Sequence, residues 1–194
     1  MNSPYIYNFK FLLNIRLLNL FNVLFAIIRI CSLSHLVGRG IMEKILNWKL
    51  KKFKELKCEE IYKILKIRNE VFIVEQNCAY QDCDDKDKKS YHLYLEDKGE
   101  IISYLRILEK GISFDEVSIG RVLVNKNYRS IGIAREMMIK AIDIIEQILN
   151  ETEIKIQAQS YLVNFYGSLG FKQTSKEYLE DNIPHIDMVY KKLI

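Results

Sequence analysis

The residues Arg129-Ser130-Ile131-Gly132-Ile133-Ala134 have the form Arg-x-x-Gly-x-Ala. They follow an apolar run, Ile119-Gly120-Arg121-Val122-Leu123-Val124, and open an amphipathic one. That order reads as a strand, a tight loop and the first turn of a helix. Such a loop suits the binding of a diphosphate, because the free N–H groups of a helix N-terminus point at the anion. Gly132 has no Cβ, so the backbone can approach a ligand and take a positive φ. The helix dipole favours negative charge, and Arg129 can add a charge-assisted contact.

Other chemistry-bearing types are sparse. Four cysteines occur, Cys31, Cys58, Cys78 and Cys83, and none has Cys-x-x-Cys spacing. A zinc ribbon is therefore not expected. Cys78 and Cys83 with His92 are the one alternative metal or redox set, and free thiols in a reducing compartment are preferred. No metal is expected. The net charge is +4, and residues 1–41 hold Lys10, Arg16, Arg29 and Arg39 without an acid. Taking these four from the 29 Lys and Arg leaves 25, matched by 25 Asp and Glu, so 42–194 is neutral. No global charge for nucleic acid remains there.

The loop needs a strand before it and a helix after it, and the flanking pattern supplies both. Val117 to Val124 reads as the strand and Ala134 to Leu149 as an amphipathic helix, with Met137, Met138, Ala141, Ile144, Ile145, Ile148 and Leu149 on one side. Upstream, Trp48, Leu50 and Phe53 mark a first strand. Ile61, Ile64, Leu65, Val71 and Phe72 recur at helical spacing, with Glu59 and Glu60 suiting the first turn. Asn77 to Ser90 is polar and acidic and reads as a loop. Tyr91 to Glu96 and Ile101 to Leu108 form a hairpin about Asp97-Lys98-Gly99-Glu100. Downstream, Ile154 to Gln159 is a strand and Val163 to Leu169 a short helix stopped by Gly170. Lys172 to Leu179 and His185 to Tyr190 are the last strands. The class is α+β, with a mixed, mostly antiparallel central sheet flanked by helices on both faces.

A chain of 194 residues, 49% hydrophobic and 28% charged, suits one folded domain, here residues 42–194. Residues 1–41 are a doubtful hydrophobic extension. Leu17 to Ile28 is mostly apolar, but at about 12 residues it is shorter than the ~20 that span a bilayer. Arg29 follows at once, without a signal-peptide cleavage site. A membrane anchor, an extra helix on the domain, and a true start at Met42 are the readings. The last is preferred, and a membrane partner is expected only if 1–41 is genuine.

Several blocks together resemble the GNAT superfamily of acyl-CoA-dependent N-acetyltransferases, and within it the bacterial ElaA family. They are Arg68-Asn69-Glu70-Val71-Phe72-Ile73-Val74-Glu75-Gln76-Asn77-Cys78 with Tyr80-Gln81-Asp82, Ile119-Gly120-Arg121-Val122, and the Arg129 to Ala134 loop. Gln157-Ala158-Gln159, Asn164-Phe165-Tyr166 and Ile183-Pro184-His185-Ile186 complete them. The resemblance runs from about Trp48 to the C-terminus.

It implies a cytoplasmic N-acetyltransferase that moves an acetyl group from acetyl-CoA directly to a primary amine. The acceptor amine is not specified. A CoA-binding regulatory protein and a membrane-associated acyltransferase are the alternatives, and monomer and homodimer both stay open. The loop Arg129, Ser130, Ile131, Gly132, Ile133 and Ala134 would bind the pyrophosphate of CoA. Val122, Leu123 and Val124 would splay from the strand of Ile156 to Gln159 and admit the pantetheine, a backbone N–H near Leu123 polarising the carbonyl. Asn164 would touch the pantetheine, or simply cap its helix. Tyr166 would be the general acid, since a phenol near pKa 10 can serve a leaving thiolate, or else a core aromatic. Glu75 is the expected base at the acceptor cleft, against a solvated surface Glu. His185 is a second base candidate, against a structural histidine. Arg68, Gln76, Arg121 and Gln157 would line the acceptor side, although a buried ion pair would explain either arginine. His92 is assigned a structural role.

Overall fold

The computed structural model describes residues 47–192; the whole 1–41 extension, Cys31 and Met42 lie outside the described residues. The strands are β1 (Asn47–Lys52), β2 (Ser90–Asp97), β3 (Glu100–Leu108), β4 (Val117–Val124), β5 (Glu153–Gln159), β6 (Lys172–Gln173), β7 (Tyr178–Glu180) and β8 (Ile183–Lys191). They form one sheet in the order β1-β2-β3-β4-β5-β8-β6, with β7 also on β8. Every pairing is antiparallel except β4 with β5. This is the expected α+β architecture. No helix among the described residues is long and apolar enough to cross a membrane.

Helix α1 (Cys58–Arg68) buries Ile64 and Ile67 with Val71, Tyr94, Tyr104 and Leu123. Its expected continuation to Phe72 changes character. Asn69–Glu75 is a π-helical turn, with Gln76 N–H on the Val71 carbonyl and Cys78 N–H on that of Ile73, each at 3.2 Å. An i→i+5 turn keeps an apolar repeat near four residues, so hydrophobic spacing does not distinguish it from α-helix. Helix α2 (Ile133–Gln147) packs on β2, β3 and β4. Its Met137, Met138, Ala141 and Ile145 are wholly buried. Helix α3 (Val163–Gly167) is shorter than its pattern suggested, and the expected strand Lys172 to Leu179 breaks into β6 and β7.

Strand β4 is irregular on both of its edges. Tyr104 pairs with Leu123 and Arg106 with Gly120, so one residue of β3 faces two of β4. The bulge puts Arg121 at φ +55°, a region that side chains rarely adopt. On its other edge β4 pairs with β5 only at Val117 with Ile154 and Ser118 with Lys155. Beyond those rungs the two strands diverge.

Candidate active site

The divergence opens a cleft of about 630 Å³. Val122, Leu123, Val124, Arg129, Ala134 and Tyr166 line it, together with Glu75, Gln76, Arg121, Gln157 and His185. The strand, loop and helix legible in the sequence therefore meet at one cavity.

At the loop, Ser130 and Gly132 take φ +65° and +93°. These two left-handed residues turn the chain into α2, whose first turn carries Glu136. A Cβ on Gly132 would meet nothing within 4 Å. The glycine is thus required by backbone conformation, not by crowding. Ile131 is exposed and Ile133 buried, so the loop is anchored by one side chain of the pair. A diphosphate fits this arrangement: a 15-residue helix begins at the loop, and its first N–H groups have no carbonyl partner within the helix.

Arg129 differs from the expectation of a guanidinium reserved for phosphate. It donates to both carboxylate oxygens of Glu75, at 2.6 and 2.8 Å, and to the Val124 carbonyl at 2.9 Å. The same pair revises Glu75. Its carboxylate is held by the loop arginine, whose hydrogen bonds keep it below the usual range despite some burial. A carboxylate so held is a weaker base than a free one.

Tyr166 is buried in α3, edge-on to Phe165 at 5.1 Å and to Phe171 at 6.0 Å between ring centres. Burial pushes its phenol above the ordinary value, and nearby Tyr161 adds to this. Asn164 is exposed and lies outside the cleft wall. Leu162, not Asn164, occupies the cap position of α3, so helix capping does not explain Asn164 either.

His185 lies in β8 opposite Gln159 of β5 and Tyr178 of β7. Its Nδ1 is 2.8 Å from the Ile183 carbonyl oxygen, which can only accept, so Nδ1 carries the proton there. In the neutral ring Nε2 is then the basic nitrogen. The Tyr178 ring stacks on the imidazole at 6.4 Å, and Gln157 donates to the Tyr178 hydroxyl at 2.9 Å. Gln159 reaches across to Gln76 Oε1 at 3.3 Å.

Arg68 does not line this cleft. It is fully buried, donating to Asp82 Oδ2 at 2.8 Å and to Asp87 Oδ1 at 2.9 Å, with Tyr104 beneath it at 5.8 Å. A buried ion pair, rather than acceptor binding, accounts for it. Arg121 also binds Asp82, through Oδ1 at 2.7 Å, with its guanidinium over Tyr80. Arg106 clasps Asp84 through two N–H groups, each at 2.7 Å, and reaches Asp87 at 2.8 Å. The acidic segment after Asn77 is therefore not simply a solvated loop. It stitches α1, β3 and the β4 bulge together. Arg106 and its aspartates were missed in the sequence. The available signal was a lone arginine within the apolar run Ile101 to Leu108, which demands buried partners.

His92 is structural, with Nδ1 2.8 Å from the Tyr104 hydroxyl and Nε2 3.0 Å from the Asp87 carbonyl. Cys58, Cys78 and Cys83 are free thiols.

Residues 52–192 match the acetyltransferase (GNAT) domain family. The chain belongs to the GNAT acetyltransferases. It is 34% identical over 146 residues to protein ElaA of Escherichia coli, covering 74% of this chain and 95% of that protein. A UPF0039 protein of Schizosaccharomyces pombe is 37% identical over 145 residues, covering 74% and 95%. Among solved structures, an acyl-CoA N-acyltransferase from Pseudomonas aeruginosa aligns with TM-score 0.71 at 36% identity, covering 74% of this chain and 99% of that one. Escherichia coli ElaA aligns with TM-score 0.70 at 35% identity, covering 75% and 99%. Family membership carries acyl transfer from an acyl-CoA, and the matched span contains every candidate site residue from Arg68 to His185.

Proposed function

We propose that this GNAT acyltransferase is an acetyl-CoA-dependent N-acetyltransferase acting in the cytoplasm on a primary amine of a small molecule or peptide. The observation that supports it most is the continuity of the cleft. One cavity joins the Gly132 loop, the free edge of β4, the Tyr166 phenol and the His185 imidazole.

Bound acetyl-CoA supplies the thioester that donates the acetyl group. Ser130 to Ala134 hold its diphosphate on backbone N–H groups. Val122 to Val124, released from β5, offer backbone groups to the pantetheine and polarise the carbonyl near Leu123. The Nε2 of His185 takes the proton from the attacking amine. The Tyr166 hydroxyl gives a proton to the departing thiolate. Both reactants lie in one cleft, and such proximity can be worth ~7–11 kcal/mol. Glu75 stays on the wall as the partner of Arg129.

A free-thiol assay over a panel of primary amines tests the reading. Turnover above hydrolysis with at least one amine is expected, and His185→Gln should lower kcat by about 10²-fold. Tight CoA binding without turnover on any amine would replace the transferase with a CoA-binding protein.

A further inference from the structure

The acceptor end of the cleft carries polar atoms that the chain itself does not use. Four buried side-chain polar atoms lack a hydrogen-bond partner among the described residues. Two of them, Arg106 Nε and Ser118 Oγ, belong to residues that line this cleft, and each residue is at most 3% exposed. Their placement is set by register. Arg106 pairs with Gly120 and Leu108 with Ser118, so Arg106 and Ser118 share one face as diagonal neighbours. Between them Gly120 has no side chain, and a Cβ there would only just touch Leu108, at 3.9 Å. The strand pair therefore buries one N–H and one O–H donor, both unpartnered, beside a position that has no side chain.

One cation beside these donors has no acidic partner. Arg68, Arg106 and Arg121 are matched by Asp82, Asp84 and Asp87 in a closed set of ion pairs. Asp84 accepts from Arg106 and from the Lys86 backbone N–H at 3.1 Å, which brings Lys86 beside the cluster. Lys86 is among the residues that line the cleft, and no carboxylate lies within salt-bridge distance of its ammonium among the described residues. Glu180 and Asp181, exposed at the turn between β7 and β8, also line the cleft.

We infer that the acceptor amine also carries a carboxylate, which Lys86, the Arg106 Nε–H and the Ser118 hydroxyl receive. The inference rests on the transferase reading, because it takes this end of the cleft as the acceptor site. A single unpaired ammonium suits a monoanion better than a doubly charged phosphate. A carboxylate held at β3 and β4 leaves the amine for His185.

The test compares glycine, β-alanine, γ-aminobutyrate and 5-aminovalerate with methylamine, ethylamine, propylamine and butylamine as acceptors for the full chain. At the best chain length the amino acid should exceed its matched amine about 10- to 100-fold in kcat/KM, the scale of charge-assisted hydrogen bonds. In Lys86→Met and in Ser118→Ala that ratio should shrink towards one. A ratio near one at every length in the parent overturns the proposal, as does a ratio retained in both variants. Calorimetric titration of the CoA-loaded protein with N-acetyl-γ-aminobutyrate and N-propylacetamide reads the same preference without turnover. If no amine is acetylated yet the carboxylated ligand binds better, and the preference falls in both variants, the carboxylate site stands and the transferase reading falls. If no amine is acetylated and the two ligands bind alike, both fall.

Discussion

Glu75 and Arg129, 54 residues apart, form a bidentate ion pair that ties the π-helical turn to the loop at the start of α2. Each side chain is about two-fifths exposed, at 39% and 40%. Such a pair contributes only ~0–1 kcal/mol to stability. Its consequence is competition, because a diphosphate on the loop and the Glu75 carboxylate both call on one guanidinium. Glu75→Gln should therefore tighten CoA binding, by up to about fivefold at low salt, and the gain should vanish near 1 M salt. Titration calorimetry at two ionic strengths measures this. Weaker CoA binding in the variant would mean that Glu75 helps to hold the cofactor.

Gly132 separates backbone strain from crowding. Its φ of +93° is disfavoured for β-branched residues, while a Cβ there would meet nothing. Gly132→Val should abolish the thermal stabilisation given by CoA, because the loop can no longer keep its turn. Gly132→Asn should keep most of it, since asparagine tolerates the left-handed region. An undiminished CoA shift in Gly132→Val would remove the diphosphate from this loop.

How much of the fold and site was legible in the sequence depends on the range of the interaction. Strand β4 matches its expected bounds, and α2 differs by one residue at its start and two at its end, because apolar periodicity is local. The loop was legible because Gly132 follows its strand within a few residues. The Arg121 bulge was not, since it exists only relative to β3. Nor was the match of three aspartates to arginines between 14 and 39 residues away. The Glu75–Arg129 pair and the burial of Arg68 were not legible for the same reason: their partners are set by tertiary packing.

Two buried or half-buried carboxyls should govern acid stability. Burial pushes the Glu60 carboxyl up, but Lys51, the Lys57 N–H and Tyr94 outweigh it and hold the group at about 2. Asp84 is likewise raised by burial and then lowered, chiefly by Arg106, to about 2. Both folded values lie below the unfolded ones near 4. The stabilisation is therefore complete above about pH 5 and is lost as pH falls towards 2, with each group worth up to ~3 kcal/mol. Melting temperature should be flat from pH 5 to 7 and fall steeply below 4.5, less steeply in Glu60→Gln. An equal slope in parent and variant would assign the acid transition to other groups.

A chain beginning at Met42 should fold and bind CoA as tightly as the full chain. Every residue placed against the cofactor lies between Val122 and Tyr166, and 42–194 carries no net charge. Aggregation of the shortened chain, or a weaker CoA affinity, would give residues 1–41 a structural role.

Tyr166 offers the sharpest test of the chemistry. Its ring packs edge-on between Phe165 and Phe171, so Tyr166→Phe keeps the packing and removes only the hydroxyl. Loss of a proton donor to the leaving thiolate should lower kcat by about 10²–10⁴-fold with little change in CoA affinity. Burial also alters the pH dependence expected from an ordinary phenol. It raises the Tyr166 value above that of an ordinary phenol. The phenol therefore stays protonated across the range in which amines lose their protons. Parental kcat should climb with pH up to about 10 and not turn over there. A fall near pH 10 that disappears in Tyr166→Phe would show a phenol of ordinary acidity, reached by solvent. Parental kcat in the variant would leave the thiolate to water and make Tyr166 a packing residue.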